Sequence, residues 1–313
     1  MNIFKYNKNT PFPIKGLSVA MGNFDGLHLG HKKLINLAKP RNLDGKFGVL
    51  TFDPHPREFF SREQSSFRLM SQTAKRMKLK ELGIDVLLEV PFTEELSLLE
   101  PETFVENVLF SYFQLSRLVI GEDFKFGHQR KGDANLLKSL CATLGIKVTI
   151  LPLVRNNNFE ISSTAIRQAL KTGETIKVAE MLGDWYSITG SVIEGDKRGR
   201  TLGYPTINLD ISDLHLPRFG VYSAVVKILS GKNVGSYSSA VSIGARPTYG
   251  IKQPNLEAHL LDFTEDIYGE LVSVYLVSFQ RDEIKFNSSE DLIIQMELDC
   301  AMAKENITKL NLL

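Results

Sequence analysis

The first half of the chain alternates short, continuously apolar, β-rich runs with helical stretches, and that rhythm leaves few folds open. Leu17–Met21, Phe47–Phe52, Val86–Val90, Arg117–Ile120 and Lys147–Leu151 read as strands. They show little polar alternation, as strands do when both faces are covered. Between them His31–Ala38, Thr73–Leu82, Glu102–Tyr112 and Asp133–Leu144 read as helices, with Pro101 placed to open one and Gly83 and Gly145 to end two others. Strand and helix alternating at this spacing predict βαβ units, a parallel sheet and right-handed crossovers. Two short helices follow, around Ser163–Leu170 and Thr175–Leu182, closed by Gly173 and Gly183.

From Tyr186 the cadence changes. Short strand-like runs dominate: Ser187–Ile193, Val221–Leu229, Ser236–Ile243, Leu256–Leu261 and Ser273–Phe279. Turn residues separate them, which predicts a small antiparallel barrel or sandwich. A long helix is expected from about Glu290, with Ser288 and Asp291 forming a capping-box-like start. The predicted fold is α/β: an N-terminal doubly wound parallel-sheet domain over residues 1–183, plus a C-terminal small antiparallel β-barrel domain with a terminal helix over residues 184–313.

The formal net charge of +1 draws neither nucleic acid nor an anionic membrane to the protein as a whole. No uninterrupted apolar run approaches the ~18 residues of a membrane helix, and Met1–Pro13 has no signal-peptide core. The two cysteines, Cys141 and Cys300, lie far apart and suit a reducing compartment. The expectation is a cytoplasmic protein without nucleic-acid or membrane partners; its oligomeric state is left open.

Gly22-Asn23-Phe24-Asp25-Gly26-Leu27-His28-Leu29-Gly30-His31 comes straight after the first strand and opens a helix. In open parallel sheets, ligands gather at the carboxyl ends of strands. A helix start there offers backbone N–H groups and a positive dipole end, both suited to phosphate. Gly22, Gly26 and Gly30 allow sharp turns and close approach. His28 and His31 can donate hydrogen bonds to phosphate oxygens as charge builds. Alone, the loop also reads as a Gly-rich turn with surface histidines, or as two ligands of a metal. A second helix start, Ile161-Ser162-Ser163-Thr164-Ala165-Ile166-Arg167, has Ser162 or Ser163 as its cap and Arg167 one turn in. Hydroxyls, open N–H groups and a guanidinium make a polyphosphate cradle. Thr51-Phe52-Asp53-Pro54-His55-Pro56-Arg57 and Gly121-Glu122-Asp123-Phe124-Lys125-Phe126-Gly127 follow the second and fourth predicted strands.

The His-x-Gly-His pattern, paired with Ile-Ser-Ser-Thr-x-x-Arg, resembles the nucleotidyltransferase superfamily related to class I aminoacyl-tRNA synthetases. With the Asp53–Arg57 and Gly121–Gly127 stretches, it resembles the FMN adenylyltransferase module of prokaryotic bifunctional riboflavin kinase/FMN adenylyltransferases (FAD synthetases). The resemblance implies that the N-terminal domain is a nucleotidyltransferase domain. It implies catalytic roles for His28 and His31, and ATP-phosphate binding by Gly22, Phe24, Asp25, Gly30, Ser162, Ser163, Thr164 and Arg167. It further implies flavin binding by Asp53, His55, Pro56, Arg57, Asp123, Phe124 and Phe126.

The chain has no P-loop, so a kinase here must hold phosphate differently. Gly195-Asp196-Lys197-Arg198-Gly199-Arg200-Thr201-Leu202-Gly203-Tyr204-Pro205-Thr206-Ile207-Asn208 follows a predicted strand. Basic residues among glycines can wrap a polyphosphate. In extended backbone Thr206 and Asn208 share a face, where their oxygens suit Mg2+. By itself this is also an ordinary basic β-turn. Ile243–Thr248, Leu256–Phe263 and Arg281–Phe286 look like riboflavin kinase segments. That likeness implies ATP binding by Gly195, Lys197, Gly199, Arg200 and Gly203, Mg2+ at Thr206 and Asn208, and Glu257 as catalytic base. Ile207 and Ala245 depart from the family pattern, where Ala and Thr are usual. The implied ligands are riboflavin, FMN, FAD and ATP, with Mg2+. Two rivals remain at this point: an adenylyltransferase whose second domain only binds flavin, and a non-enzymatic flavin or nucleotide sensor acting on nucleic acid.

Overall fold

The computed structural model describes residues 1–40, 45–61, 67–156, 159–195, 198–248 and 251–312. Two compact units divide it: Met1–Gln64 with Arg76–Ile161, and Ser65–Lys75 with Ser162–Leu313.

The first unit is built on a six-stranded parallel sheet. Its strands are β1 (Asn2–Lys5), β2 (Ser18–Met21), β3 (Phe47–Asp53), β4 (Val86–Pro91), β5 (Arg117–Gly121) and β6 (Lys147–Leu151), in the order β1-β4-β3-β2-β5-β6. Every residue of β2 is buried, and Val19, Leu50, Leu88 and Leu118 are all essentially inaccessible. This is the doubly covered sheet that the unalternating runs predict. Strand β1 was not predicted: it is a largely exposed edge, carries no apolar run, and joins the sheet through its backbone.

Helices α1 (Leu29–Ala38), α2 (Pro56–Phe60), α3 (Gln72–Glu81) and α4 (Ala134–Thr143) lie near their expected places, except α2, which sequence reading left as loop. The Glu102–Tyr112 stretch opens as a single turn at Pro101–Thr103 and widens into a π-helix over Phe104–Tyr112. The wider turn buries Phe104, Val105, Val108 and Leu109. From β2 the chain winds to β3 and β4 on one side and to β5 and β6 on the other. The carboxyl end of β2 is therefore the topological switch point, where such sheets bind ligands.

The second unit holds six antiparallel strands: β7 (Tyr186–Ser191), β8 (Ile207–Asp210), β9 (Gly220–Ile228), β10 (Gly235–Thr248), β11 (Ile251–Leu260) and β12 (Leu271–Arg281). Their order is β7-β12-β9-β10-β11-β8, and a bridge between Ile193 and Asn208 nearly closes the barrel. Leu209, Val241, Leu256 and Ala258 fill its interior.

Helices α5 (Ser163–Thr172) and α6 (Thr175–Leu182) end at Gly173 and Gly183, whose φ of +78° and +64° are the left-handed caps anticipated from sequence. The Thr175 hydroxyl donates to Val277 O at 2.8 Å and ties α6 to β12. The terminal helix α7 (Ser289–Lys309) starts where expected, with Ser288 Oγ accepting from Asp291 N–H at 3.1 Å. On α7, buried Asp299 accepts from Arg281 Nε and from Gln295 Nε2 one turn earlier, each at 2.9 Å. Among the described residues, no helix is long and apolar enough to cross a membrane.

Candidate functional site

The loop from Gly22 to His28 leaves β2 at the switch point. Two bonds from β3 hold it: Gly22 N–H donates to Leu50 O at 3.1 Å, and the Thr51 hydroxyl donates to Asn23 O at 3.1 Å. Phe24 and Leu27 adopt φ of 51° and 45°, a conformation that costs non-glycine residues about 1 kcal/mol or more and persists where surrounding structure imposes it. Phe24 and Asp25 are buried.

His28 caps α1. Its Nδ1 accepts the His31 backbone N–H at 3.3 Å, so the proton of the neutral ring sits on Nε2. The His28 and His31 rings stack at 3.6 Å, and Phe24 lies 5.2 Å from His31. Burial pushes His28 down from an ordinary 6.5 to about 4. At neutral pH the ring is therefore uncharged and offers one N–H. Gly30 suits this packing, because a Cβ there would stand 3.0 Å from His28 Nδ1 and crowd the ring.

The two flanking stretches sit at neighbouring strand ends. Asp53 closes β3, and its carbonyl accepts from Phe92 N–H at 3.0 Å. His55 caps α2, accepting from Arg57 N–H at 3.1 Å while its own N–H donates to Glu58 at 3.3 Å; Pro56 takes the first helical position. Asp123 and Phe124 follow β5, with Asp123 exposed and Phe124 half-buried. Phe126 is buried between Phe104 and Phe124. Sequence reading missed Phe59, Phe60 and Phe92, which pack edge to face 5.2–5.7 Å apart beside the Asp53 turn, with Phe60 64% exposed. The adjacent aromatic pair in the segment after β3 was the available signal.

In the second unit, Ser162 rather than Ser163 caps α5: its hydroxyl accepts from Ala165 N–H at 3.2 Å. Ser163 is the first helical residue, and Thr164 is exposed. One turn on, Arg167 Nε donates to Phe67 O at 3.0 Å, with the guanidinium 3.8 Å from the Phe67 ring.

On the barrel, Asn208 and Glu257 stand directly opposite each other in the β8–β11 ladder. They share the face opposite the packed interior of Leu209, Leu256 and Ala258. Asn255, two residues before Glu257 and on the same face, was not foreseen. Its Nδ2 donates to Asn208 Oδ1 and to Glu257 Oε1, both at 3.2 Å. Period-two alternation from Glu257 would have found it. Gly195 lies against this cluster, since a Cβ there would run into the Asn208 carboxamide. Gly199 likewise leaves room for Tyr204 O and sits near Thr206. Gly203, at φ +88°, makes the turn before Tyr204. His259 Nδ1 donates to Pro205 O at 2.8 Å, and Tyr204 packs edge-on against His259 at 5.3 Å. Arg200 is exposed, 3.9 Å from Asp266. Lys197 lies outside the described residues.

The donor set here is hard and oxygen-rich: the Thr206 hydroxyl, the Asn208 amide oxygen and the Glu257 carboxylate. That chemistry fits Mg2+, and the lack of a side chain at Gly195 lets its backbone pack directly against the Asn208 carboxamide. Among the described residues, no group of three His, Cys, Asp or Glu side chains is placed to hold a metal.

Comparison with known proteins points the same way. A family profile described as FAD synthetase matches residues 13–165, and one described as riboflavin kinase matches residues 182–307. The bifunctional riboflavin kinase/FMN adenylyltransferase of Haemophilus influenzae is 34% identical over 311 residues, covering 97% of this chain and 98% of that protein. Those of Listeria monocytogenes and Escherichia coli K12 are 36% and 35% identical, covering 90% and 94% of this chain and 89% and 93% of theirs. A solved structure of a protein designated a macrolide-efflux protein, from Streptococcus pneumoniae, matches with a TM-score of 0.84 at 29% identity, over 96% of this chain and 98% of that one. That designation names a transport activity that neither family profile describes; what it adds here is agreement on the fold. With both profiles in tandem and relatives matched from end to end, the chain belongs to the bifunctional riboflavin kinase/FMN adenylyltransferase family, whose members make FMN and then FAD.

Proposed function

We propose that the two reactions divide along the chain, with residues 184–313 phosphorylating riboflavin and residues 1–183 adenylylating FMN. Riboflavin and ATP give FMN and ADP; FMN and a second ATP give FAD and pyrophosphate. Both steps depend on positioning and charge neutralisation more than on covalent chemistry.

In the kinase half, Glu257 accepts the proton of the ribityl 5′-hydroxyl as that oxygen attacks the γ-phosphate. The observation that carries this role is the Asn208–Glu257 pair bridged by Asn255 at 3.2 Å on each side. Thr206 and Asn208 would hold Mg2+, which would supply neutralisation of the phosphate charge. Gly195, Lys197, Gly199, Arg200 and Gly203 surround the ATP phosphates.

In the adenylylation half, His28 and His31 act on the α-phosphate. Gly22, Phe24, Asp25 and Gly30 shape the loop, while Ser162, Ser163, Thr164 and Arg167 serve the β- and γ-phosphates. The buried, neutral His28 supports this role: its Nε2–H is a desolvated donor whose pull grows as negative charge builds. Asp53, His55, Pro56, Arg57, Asp123, Phe124 and Phe126 belong to the flavin side, and the exposed ring of Phe60 adds the apolar surface an isoalloxazine needs. The free thiols of Cys141 and Cys300 favour the cytoplasm, and the near-zero net charge favours no nucleic-acid partner.

One incubation with riboflavin, ATP and Mg2+, resolved by chromatography, tests both activities. Glu257→Gln should abolish FMN formation and leave FAD formation from supplied FMN. His28→Ala should do the reverse. If either variant loses both activities while folded, the division is wrong.

A further inference from the structure

Arg167 is held in a way that its proposed contact with the ATP phosphates does not explain. A surface arginine one turn into a helix has many rotamers, and confining them costs up to ~2 kcal/mol. Here Nε donates to Phe67 O at 3.0 Å, and the guanidinium lies over the Phe67 ring at 3.8 Å. Together these set both the plane and the heading of the fork. Phosphate recognition by arginine depends on that plane.

The backbone of Arg167 is held as well. His215 Nε2 donates to Arg167 O at 3.1 Å. A carbonyl only accepts, so this bond also fixes the ring tautomer. His215 is buried, and desolvation lowers its proton affinity below the ordinary histidine value. The nearby charges of Arg167 and Lys171 act in the same direction, while the bond to Arg167 O opposes them. The ring is a neutral donor.

The two holding residues are tied to each other. His215 N–H donates to Arg68 O at 2.7 Å, and Arg68 pairs with Leu214 in a parallel bridge. Leu69 and Leu214 are buried, and the Ser71 hydroxyl donates to Thr189 O on β7 at 3.3 Å. The short stretch from Phe67 to Ser71 thus packs with the barrel unit, within a Ser65–Lys75 segment flanked on both sides by residues of the parallel-sheet unit. His215 lies in the connection that follows β8, the strand carrying Asn208.

We infer that Phe67 and His215 are positioning residues for FMN adenylylation: they aim the Arg167 fork, and through His215 the connection after the kinase strand β8 sets that aim. The inference rests on the reading of Arg167 as a polyphosphate ligand.

The reverse reaction gives the sharpest test, because pyrophosphate occupies the β,γ-phosphate cradle directly. FAD pyrophosphorolysis is measured for Phe67→Leu, His215→Ala, His215→Gln and Arg167→Gln, with riboflavin phosphorylation assayed on each preparation. Phe67→Leu and His215→Ala should each raise the KM for pyrophosphate about three- to tenfold. The kcat should change less than about twofold, and riboflavin phosphorylation should hold. His215→Gln keeps a side-chain N–H donor and should recover most of the affinity, which a merely space-filling role would not predict. An unchanged pyrophosphate KM in both Phe67→Leu and His215→Ala, with Arg167→Gln raising it, overturns the inference and leaves the reading of Arg167 standing. Parallel loss of both activities also overturns it. An unchanged KM in Arg167→Gln removes the reading of Arg167 itself, and the inference with it.

Discussion

Replacing His28 with asparagine should change how the stability of the parallel-sheet unit depends on pH. Asparagine is a good helix cap, so the variant keeps an acceptor for the His31 N–H, but it does not titrate. In the native protein burial holds His28 at about 4 against an ordinary 6.5. The neutral ring is thus the form that folding favours. As pH falls below 6.5 the unfolded chain takes up a proton that the folded chain refuses, and the wild type loses stability until the folded ring also titrates near 4. At about 1.4 kcal/mol per pH unit, the wild type should lose ~2 kcal/mol relative to the variant between pH 7 and pH 5, and ~3 kcal/mol by pH 4. Urea denaturation at fixed pH, followed by circular dichroism, measures the difference. Trp185, the single tryptophan, reports the barrel unit separately by fluorescence. If the two stabilities run parallel within ~0.5 kcal/mol from pH 7 to pH 5, the ring is not buried neutral, and the account of its Nε2–H donor falls with it.

Three other outcomes are expected. Gly195→Ala should cut riboflavin phosphorylation by roughly 100-fold while FAD formation from FMN persists, because the new Cβ displaces the Asn208 carboxamide; steady-state assays of each half-reaction decide it. Asn255→Leu should lower kcat for phosphorylation by about tenfold with less effect on the riboflavin KM, since it removes the donor shared by Asn208 and Glu257; a rise confined to KM would count against that role. Asp299→Ala should destabilise the barrel unit by about 3–5 kcal/mol, because it leaves the largely buried Arg281 guanidinium without its carboxylate; denaturation read by Trp185 fluorescence measures this, and a loss below ~1 kcal/mol would show the pair to be dispensable.

Much of this protein was legible from local pattern. The four central strands of the parallel sheet, β2 to β5, announce themselves as apolar runs because both their faces are covered, and the edge strand β6 does so although it is only partly buried. Gly173 and Gly183 mark helix ends, because only a residue at ease at positive φ ends a helix that way. The loop from Gly22 to His31, the serine-capped helix start and the pairing of Thr206 with Asn208 are all short-range spacings. They pointed to their chemistry before any tertiary contact was known.

What stayed hidden depends on partners far away in the chain. Strand β1 has no apolar signature and exists because β4 offers its backbone. Nothing in Asn255 itself indicates that it will bridge a residue 47 positions earlier to a residue two positions later. The segment Ser65–Lys75, which carries Phe67, packs with a unit that the chain before and after it does not join, and only there does it meet Arg167 and His215. Sequence determines which backbone conformations and chemical groups are on hand. The register of strands and the burial of side chains determine which groups meet, because hydrogen bonds and desolvation act over a few ångströms of space and take no account of distance along the chain.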